Sequence, residues 1–242
     1  METPFPIEKS LGIELYSTSW QGLGGSIKNR YEDFIVEEIT PGGKVLKVLK
    51  EPDVLPPINE QVPGETEESR RHVHFTVQKM GLTTFDVANI LASSLGIPRH
   101  LVTHAGLKDK RAITSQRMCV PGGQFEKLGS LELYDIWLRE PEYARRQIHI
   151  GDLWGNRFEI VLRDIEAPCE DRLDEINSLR DTPLLNYYGV QRFGVVRPFT
   201  HLVGKALVKN DYEQAISYML STKSEYESEQ VTALRDKIAT GN

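Results

Sequence analysis

Asp109 stands alone among cations. From residue 99 to residue 117 the ionisable side chains are Arg99, His100, His104, Lys108, Lys110, Arg111 and Arg117, and Asp109 is the only acid. A carboxylate flanked by Lys108 and Lys110 has its ionised form favoured, which suits a nucleophile at neutral pH, and the surrounding cations can hold an RNA backbone. The plainer alternative, a solvated charged turn between two strands, stays open on composition alone. A second constellation lies at residues 185–194, where Tyr187, Tyr188 and Phe193 alternate with Asn186, Gln191 and Arg192, punctuated by Gly189 and Gly194. Such a segment can stack an extruded base on a ring and read its polar edge with an amide, stacking contributing roughly 1–3 kcal/mol per base. A core strand kinked at glycine is the competing reading.

Other chemistry is weakly represented. The six histidines show no ligand spacing with acids or cysteines, and Cys119 and Cys169 belong to no Cys-x-x-Cys motif, so neither a metal nor a disulfide framework is expected; both thiols are expected to be part-buried. The run Gly22-Leu23-Gly24-Gly25-Ser26 before Lys28 lacks the Gly-Lys-Ser/Thr ending of a phosphate-cradling loop and reads as a turn. His104 reads as a strand-end histidine with a structural hydrogen bond. Glu37 and Glu38 either position a Lys or Arg near the site or form an acidic strand edge. A formal charge of -6, from 35 acidic and 29 basic side chains, has the wrong sign for indiscriminate nucleic-acid coating, so an RNA partner must meet a local basic patch. No run of about 18 apolar residues and no apolar N-terminal segment is present, so neither a spanning helix nor a secretory signal is expected, and the default location is cytoplasmic.

These residues must be positioned by a recurrent pattern of strands, read at 25–29, 33–39, 72–78, 101–104, 113–120, 135–138 and 157–163 from β-branched and aromatic content and from alternation such as His74-Phe75-Thr76-Val77. A helix is predicted over 84–95, with Thr84 as cap, Val87, Ala88, Leu91 and Leu95 on one face and Gly96 then Pro98 as the stop. Further helices are read at 171–179, 200–209 and 212–220. Residues 51–71, with four prolines and five glutamates, read as a disordered loop. The polar tail from 221, with Val231, Leu234 and Ile238 at helical spacing, reads as an amphipathic helix missing its partner surface. Strands first and helices later predict an α+β fold with a mixed, largely antiparallel sheet and a change of architecture near residue 198.

The two constellations together resemble the TruD family of pseudouridine synthases. Ala105-Gly106-Leu107-Lys108-Asp109-Lys110-Arg111-Ala112-Ile113-Thr114-Ser115-Gln116 is similar to the family's G-L-K-D-K-x-A loop leading into T-x-Q, and residues 186–194 are similar to its N-Y-[FY]-G-x-Q-R-F-G segment. Gly25-Ser26-Ile27-Lys28 with residues 32–38, Lys79-Met80-Gly81-Leu82-Thr83-Thr84, residues 151–158 and Arg197-Pro198-Phe199-Thr200-His201 extend the likeness.

The resemblance implies a cofactor-free isomerisation of uridine to pseudouridine in tRNA, at position 13, on the pseudouridine synthase catalytic fold with an inserted α/β domain. It implies residues 1–197 as the N-terminal part of the catalytic domain and 198–242 as the incomplete start of the insertion. Asp109 would be the nucleophile, Lys79 its basic partner, and Asn186 and Tyr188 would face the target base. Lys79, Lys108, Lys110, Arg111, Gln116, Gln191, Arg192 and Phe193 complete the expected substrate-binding set, with no metal and no membrane. Bacterial members carry Phe where Tyr188 stands, so stacking is preserved and a hydroxyl added. The family's closing L-P-x-G…A-T segment is missing, so the chain is expected to be truncated. The alternatives are a tRNA-binding module without turnover and, more remotely, a glycosidic hydrolase pairing Asp109 with Glu37 or Glu38.

Overall fold

The computed structural model describes residues 1–20, 22–50, 70–166, 168–183 and 185–240, so the loop expected at 51–71 lies almost wholly outside the described residues. The chain groups into two compact units, Gly24–Ala167 and Met1–Leu23 with Pro168–Asn242. Six strands are described: β1 (Phe34–Ile39), β2 (His72–Met80), β3 (Thr103–His104), β4 (Ile113–Pro121), β5 (Ile136–Ala144) and β6 (Gly155–Ile160). The helices are α1 (Pro6–Ser10), α2 (Thr84–Leu95), α3 (Phe125–Leu128), α4 (Leu173–Ser178), α5 (Thr200–Val208), α6 (Tyr212–Ser221) and α7 (Glu229–Thr240).

The strands form one sheet in the order β5-β2-β4-β1-β6, with the short β3 also beside β4. β1 pairs β4 in parallel and every other pair is antiparallel, which is the mixed, largely antiparallel α+β architecture expected. β4 is central, and its odd-even alternation divides the sheet into two faces. On one face Val73, Phe75 and Val77 of β2 and Met118 and Val120 of β4 pack against Val87, Ala88, Leu91 and Leu95 of α2 to make the main core. The helix starts where predicted, but its cap is Thr83: the Thr83 hydroxyl accepts the Asp86 amide, and the Asp86 carboxylate accepts the Thr83 amide. Gly96 ends it with φ +67, a left-handed C-cap that any side chain would strain. Thr84, expected as the cap, is one residue inside the helix and fully turned inward.

On the other face the polar residues Gln78, Ser115 and Glu37 hold the main chain of residues 46–49. The Gln78 amide pairs both ways with Leu49, the Ser115 hydroxyl donates to the Leu46 carbonyl, and Glu37 Oε1 accepts the Val48 amide. These three side chains thus find main-chain partners where a central sheet would otherwise bury them unpaired.

Three expectations shift. No strand forms at 25–29: Ser26 makes a single bridge with Arg163, and positive φ at Gly24, Gly25 and Lys28 breaks the extended run. The expected strand at 101–104 is a 3-10 turn at Arg99–Leu101 followed by the two-residue β3. Of the thiols, Cys119 is buried and Cys169 exposed.

In the second unit α5 and α6 meet around the buried Ala206 and Ala215, and Asp211 caps α6 through the Gln214 amide at 3.0 Å. α7 buries no residue, and Arg235 from it pairs with Glu227 at 2.9 Å. No helix among the described residues is long and apolar enough to cross a membrane.

Candidate functional site

Sheet topology brings three chain segments to one corner. Because β1 and β4 run parallel, with Ile35 opposite Ile113, the turn entering β1 and the loop entering β4 lie side by side. Because β2 is antiparallel to β4, with Lys79 opposite Thr114, the C-terminal end of β2 reaches the same place. Asp109, on the loop between β3 and β4, therefore meets Lys28 and Lys79 although neither is near it in sequence.

The Asp109 carboxylate is partly exposed, 41% of its side chain being accessible, and Oδ1 accepts from Lys28 Nζ at 2.6 Å. The same ammonium lies 3.9 Å over the centre of the Phe34 ring, a contact that favours a cation. Lys28 takes a left-handed backbone, φ +60, which turns its side chain from the β1 entry toward the loop. Sequence reasoning saw Lys28 only as part of a Gly-x-Ile-Lys likeness and of a turn. Its pairing depends on the parallel register, which no local spacing encodes.

Below the exposed carboxylate lies a buried polar frame. Lys79 is fully buried and its Nζ donates to two main-chain carbonyls, Asp109 O at 2.8 Å and Leu82 O at 2.7 Å. Burial pushes its pKa down to about 8; the Asp109 and Asp86 carboxylates oppose that push and the Lys108 charge adds to it. Lys108 turns inward as well, its ammonium 2.7 Å from Glu38 Oε2, with 2% and 1% of the two side chains accessible. The other Glu38 oxygen accepts the Arg117 amide at 3.0 Å. The Thr84 hydroxyl accepts the Lys108 amide at 2.9 Å and donates to Gln116 Oε1 at 2.9 Å, while Gln116 Nε2 donates to the Gly106 carbonyl at 3.1 Å. Residues 106–109 are thus held at four points by side chains from β1, β2, α2 and β4.

Of the residues expected to touch substrate, Lys79, Lys108 and Gln116 sit in this frame, whereas Lys110 and Arg111 are exposed beside Asp109, Arg111 reaching the Asn29 carbonyl at 3.4 Å. Glu37 is engaged by Arg157 at 2.6 Å. His104 is buried edge-on against Phe85, and burial lowers its pKa.

Asn186, Tyr188, Gln191, Arg192 and Phe193 belong to the other compact unit and are grouped there with one another. They form no strand. Residues Val190–Arg192 are a 3-10 turn within an exposed segment, and an open cavity of about 470 Å³ is lined by Tyr187, Tyr188, Gly189, Gln191 and Arg192. The Arg192 guanidinium lies 5.2 Å over the Tyr188 ring. Phe193 packs edge-on to His201 at 5.4 Å, and its carbonyl accepts the Phe199 amide at 3.1 Å, which leaves Tyr187, 83% exposed, and Tyr188, 69% exposed, as the accessible rings. Among the described residues, no group of three or more His, Cys, Asp or Glu is placed to hold a metal ion.

Residues 10–242 match the family model of tRNA pseudouridine synthase D (TruD). Similar curated proteins include "Probable tRNA pseudouridine synthase D" of Methanococcus vannielii, 37% identical over 232 residues, covering 96% of this chain and 57% of that one. The protein of the same name from Methanosarcina acetivorans is 35% identical over 240 residues, covering 97% of this chain and 49% of that one. Among solved structures, a Methanosarcina mazei protein crystallised under the TruD name superposes with a TM-score of 0.75 at 32% identity, covering 98% of this chain and 50% of that one. The chain spans about half the length of the curated relatives it matches.

Proposed function

The chain belongs to the tRNA pseudouridine synthase D (TruD) family, and from that premise we propose that the protein isomerises uridine to pseudouridine in tRNA, at position 13, with Asp109 as the nucleophile. One observation carries the reading: an accessible carboxylate, paired to a lysine, on a loop held rigidly from beneath. The reaction breaks an N-glycosidic bond, turns the uracil while it is held, and forms a carbon–carbon bond at the same sugar. Substrate and product have the same atoms and the same oxidation state, so a carboxylate does the covalent work without metal or nucleotide.

The target uridine must leave its stack to reach Asp109. Lys110 and Arg111, exposed on the same loop, are the groups to grip phosphates. Tyr188, with Asn186, Gln191, Arg192 and Phe193, supplies the ring and the polar edge for the base. Burial of Lys79, Lys108 and Gln116 supports a different task for them, that of holding the loop. The helices from residue 198 are read as the beginning of an inserted domain, and a tRNA substrate fits a cytoplasmic place of work. Hydrolysis with Glu37 or Glu38 is disfavoured, because Glu37 is bound to Arg157 and Glu38 is buried against Lys108.

The test is to map pseudouridine in tRNA after incubation with the protein and with Asp109→Ala. Site-specific pseudouridine from the first and a loss of at least about 10³-fold in the second are expected; turnover by Asp109→Ala overturns the reading. A second reading, that these 242 residues by themselves bind tRNA without turning it over, is favoured by their spanning about half of the relatives' length. Salt-sensitive tRNA binding without pseudouridine would select it, and turnover by this chain alone would remove it.

A further inference from the structure

We infer that Lys79 is a positioning residue of the Asp109 loop: from the buried side of the sheet it holds the Asp109 main chain in place, and it acts on the reaction through that backbone rather than through the RNA. The inference rests on the reading of Asp109 as nucleophile.

Its geometry has one use. The side chain is fully buried, and both of its acceptors are main-chain carbonyls, Asp109 O at 2.8 Å and Leu82 O at 2.7 Å. One ammonium therefore ties the reactive loop to the turn that leads from β2 into α2. That turn is itself fixed, since Gly81 has φ +70 and a Cβ there would meet the Tyr31 ring at 3.2 Å. The rest of the frame fixes Gly106 and Lys108, just before Asp109, and Lys79 supplies the tie at Asp109 itself. A methionine would fill a similar volume with no charge to desolvate, whereas burying an ammonium carries a desolvation cost that its hydrogen bonds must offset. The fold is thus carrying a group that packing alone does not require.

The charges facing Lys79 are the Asp109 carboxylate on the loop it holds, Lys108 beside it and Asp86 from α2. With its pKa at about 8, Lys79 loses its proton in mildly alkaline solution. A neutral amine still has two N–H groups for the two carbonyls, but charge-assisted bonds are about twice as strong as neutral ones. The tie then loosens and the contribution of Lys79 to the positive field at Asp109 is lost, while Lys28 stays beside the carboxylate.

The experiment compares wild type, Lys79→Met and Lys79→Gln in full-length protein. It reads kcat and KM for tRNA from neutral pH to about pH 10, tRNA affinity, and amide exchange across residues 106–112. Removing a tie that sets the nucleophile's position is expected to lower kcat by about 10²-fold in Lys79→Met, with KM and affinity close to wild type and faster exchange in the loop. Lys79→Gln, which keeps an N–H donor group without the charge, is expected to fall between the two. Wild-type kcat is expected to decline above about pH 8, and the Gln variant to lack that decline. Raised KM with unchanged kcat would make Lys79 an RNA contact, and unchanged kcat with unchanged exchange would make it a space filler; either overturns the inference. If Lys79→Met does not fold, Lys79→Gln decides by the same two quantities. Turnover by Asp109→Ala would instead refute the nucleophile reading, leaving loop exchange to judge the tie on its own.

Discussion

At the scale of single residues, the lysines around Asp109 carry one charge each and do different work. Lys28 meets the carboxylate directly, Lys79 holds its main chain, Lys108 is committed to Glu38, and Lys110 faces solvent. Only Lys110 and Arg111 remain exposed on this loop as the proposed phosphate grips. Replacing both by Ala should weaken tRNA binding about uniformly across tRNA sequences and make binding less steeply dependent on salt, by about one unit of slope for each phosphate no longer neutralised. Titrating tRNA at several salt concentrations checks this, and an unchanged slope would place the RNA elsewhere. The sequence made the charge reversal at 99–117 plain and singled out Asp109. It left inward and outward lysines indistinguishable, because Lys79, Lys108 and Lys110 have the same side chain and differ only in which strand end or helix waits beneath them.

At the scale of elements, α2 shows how one helix start serves both stability and the site. Thr83 caps the helix, and Thr84, one residue later and rotated about 100° around the axis, points into the frame to bind Lys108 and Gln116. Thr83→Ala should cost about 1 kcal/mol of stability and leave the loop in place. Thr84→Val, similar in shape, strands the Lys108 amide and Gln116 Oε1 in a buried setting, and should cost about 1–3 kcal/mol per stranded group and also lower activity. Denaturant unfolding and turnover measured on both variants separate the two roles, and equal effects on activity would contradict them. The apolar face Val87, Ala88, Leu91 and Leu95 and the stop at Gly96 were legible because a helix writes its period into the sequence. The cap was misplaced by one residue because two adjacent threonines offer the same hydroxyl, and only the inward demand of Gln116 decides between them. The strand expected at 25–29 failed for a related reason: its β-propensity is overridden by left-handed backbone at Gly24, Gly25 and Lys28.

At the scale of the whole molecule, pH acts on stability in two opposed ways. Asp33, Asp86 and Asp152 have depressed pKa values, chiefly through the Arg163 side chain, the Thr83 side chain and the His149 amide respectively. Their contribution is present above their unfolded values of about 4 and is lost as pH falls through the lower folded ones. Lys79 works the other way: between about 8, its folded value, and 10.5 the unfolded chain holds a proton that the folded chain does not, so raising pH through that window adds stability. Thermal melts of wild type and Lys79→Met from about pH 7 to about pH 10.5 should therefore show the difference moving in favour of wild type as pH rises, while wild-type turnover falls. A flat difference would mean that Lys79 keeps its proton. The mixed sheet was legible as α+β, but the parallel pairing of β1 with β4 was not, since it joins segments with β2, α2 and β3 between them. That pairing also has a consequence in time. Lys28 and Asp109 are 81 residues apart, and closing a contact across so much chain costs more conformational entropy than closing a local one, which makes it intrinsically slow. Until β1 and β4 have paired, Asp109 stands without Lys28, so on the reading of Asp109 as nucleophile its partner is supplied by tertiary structure and not by the loop's own sequence.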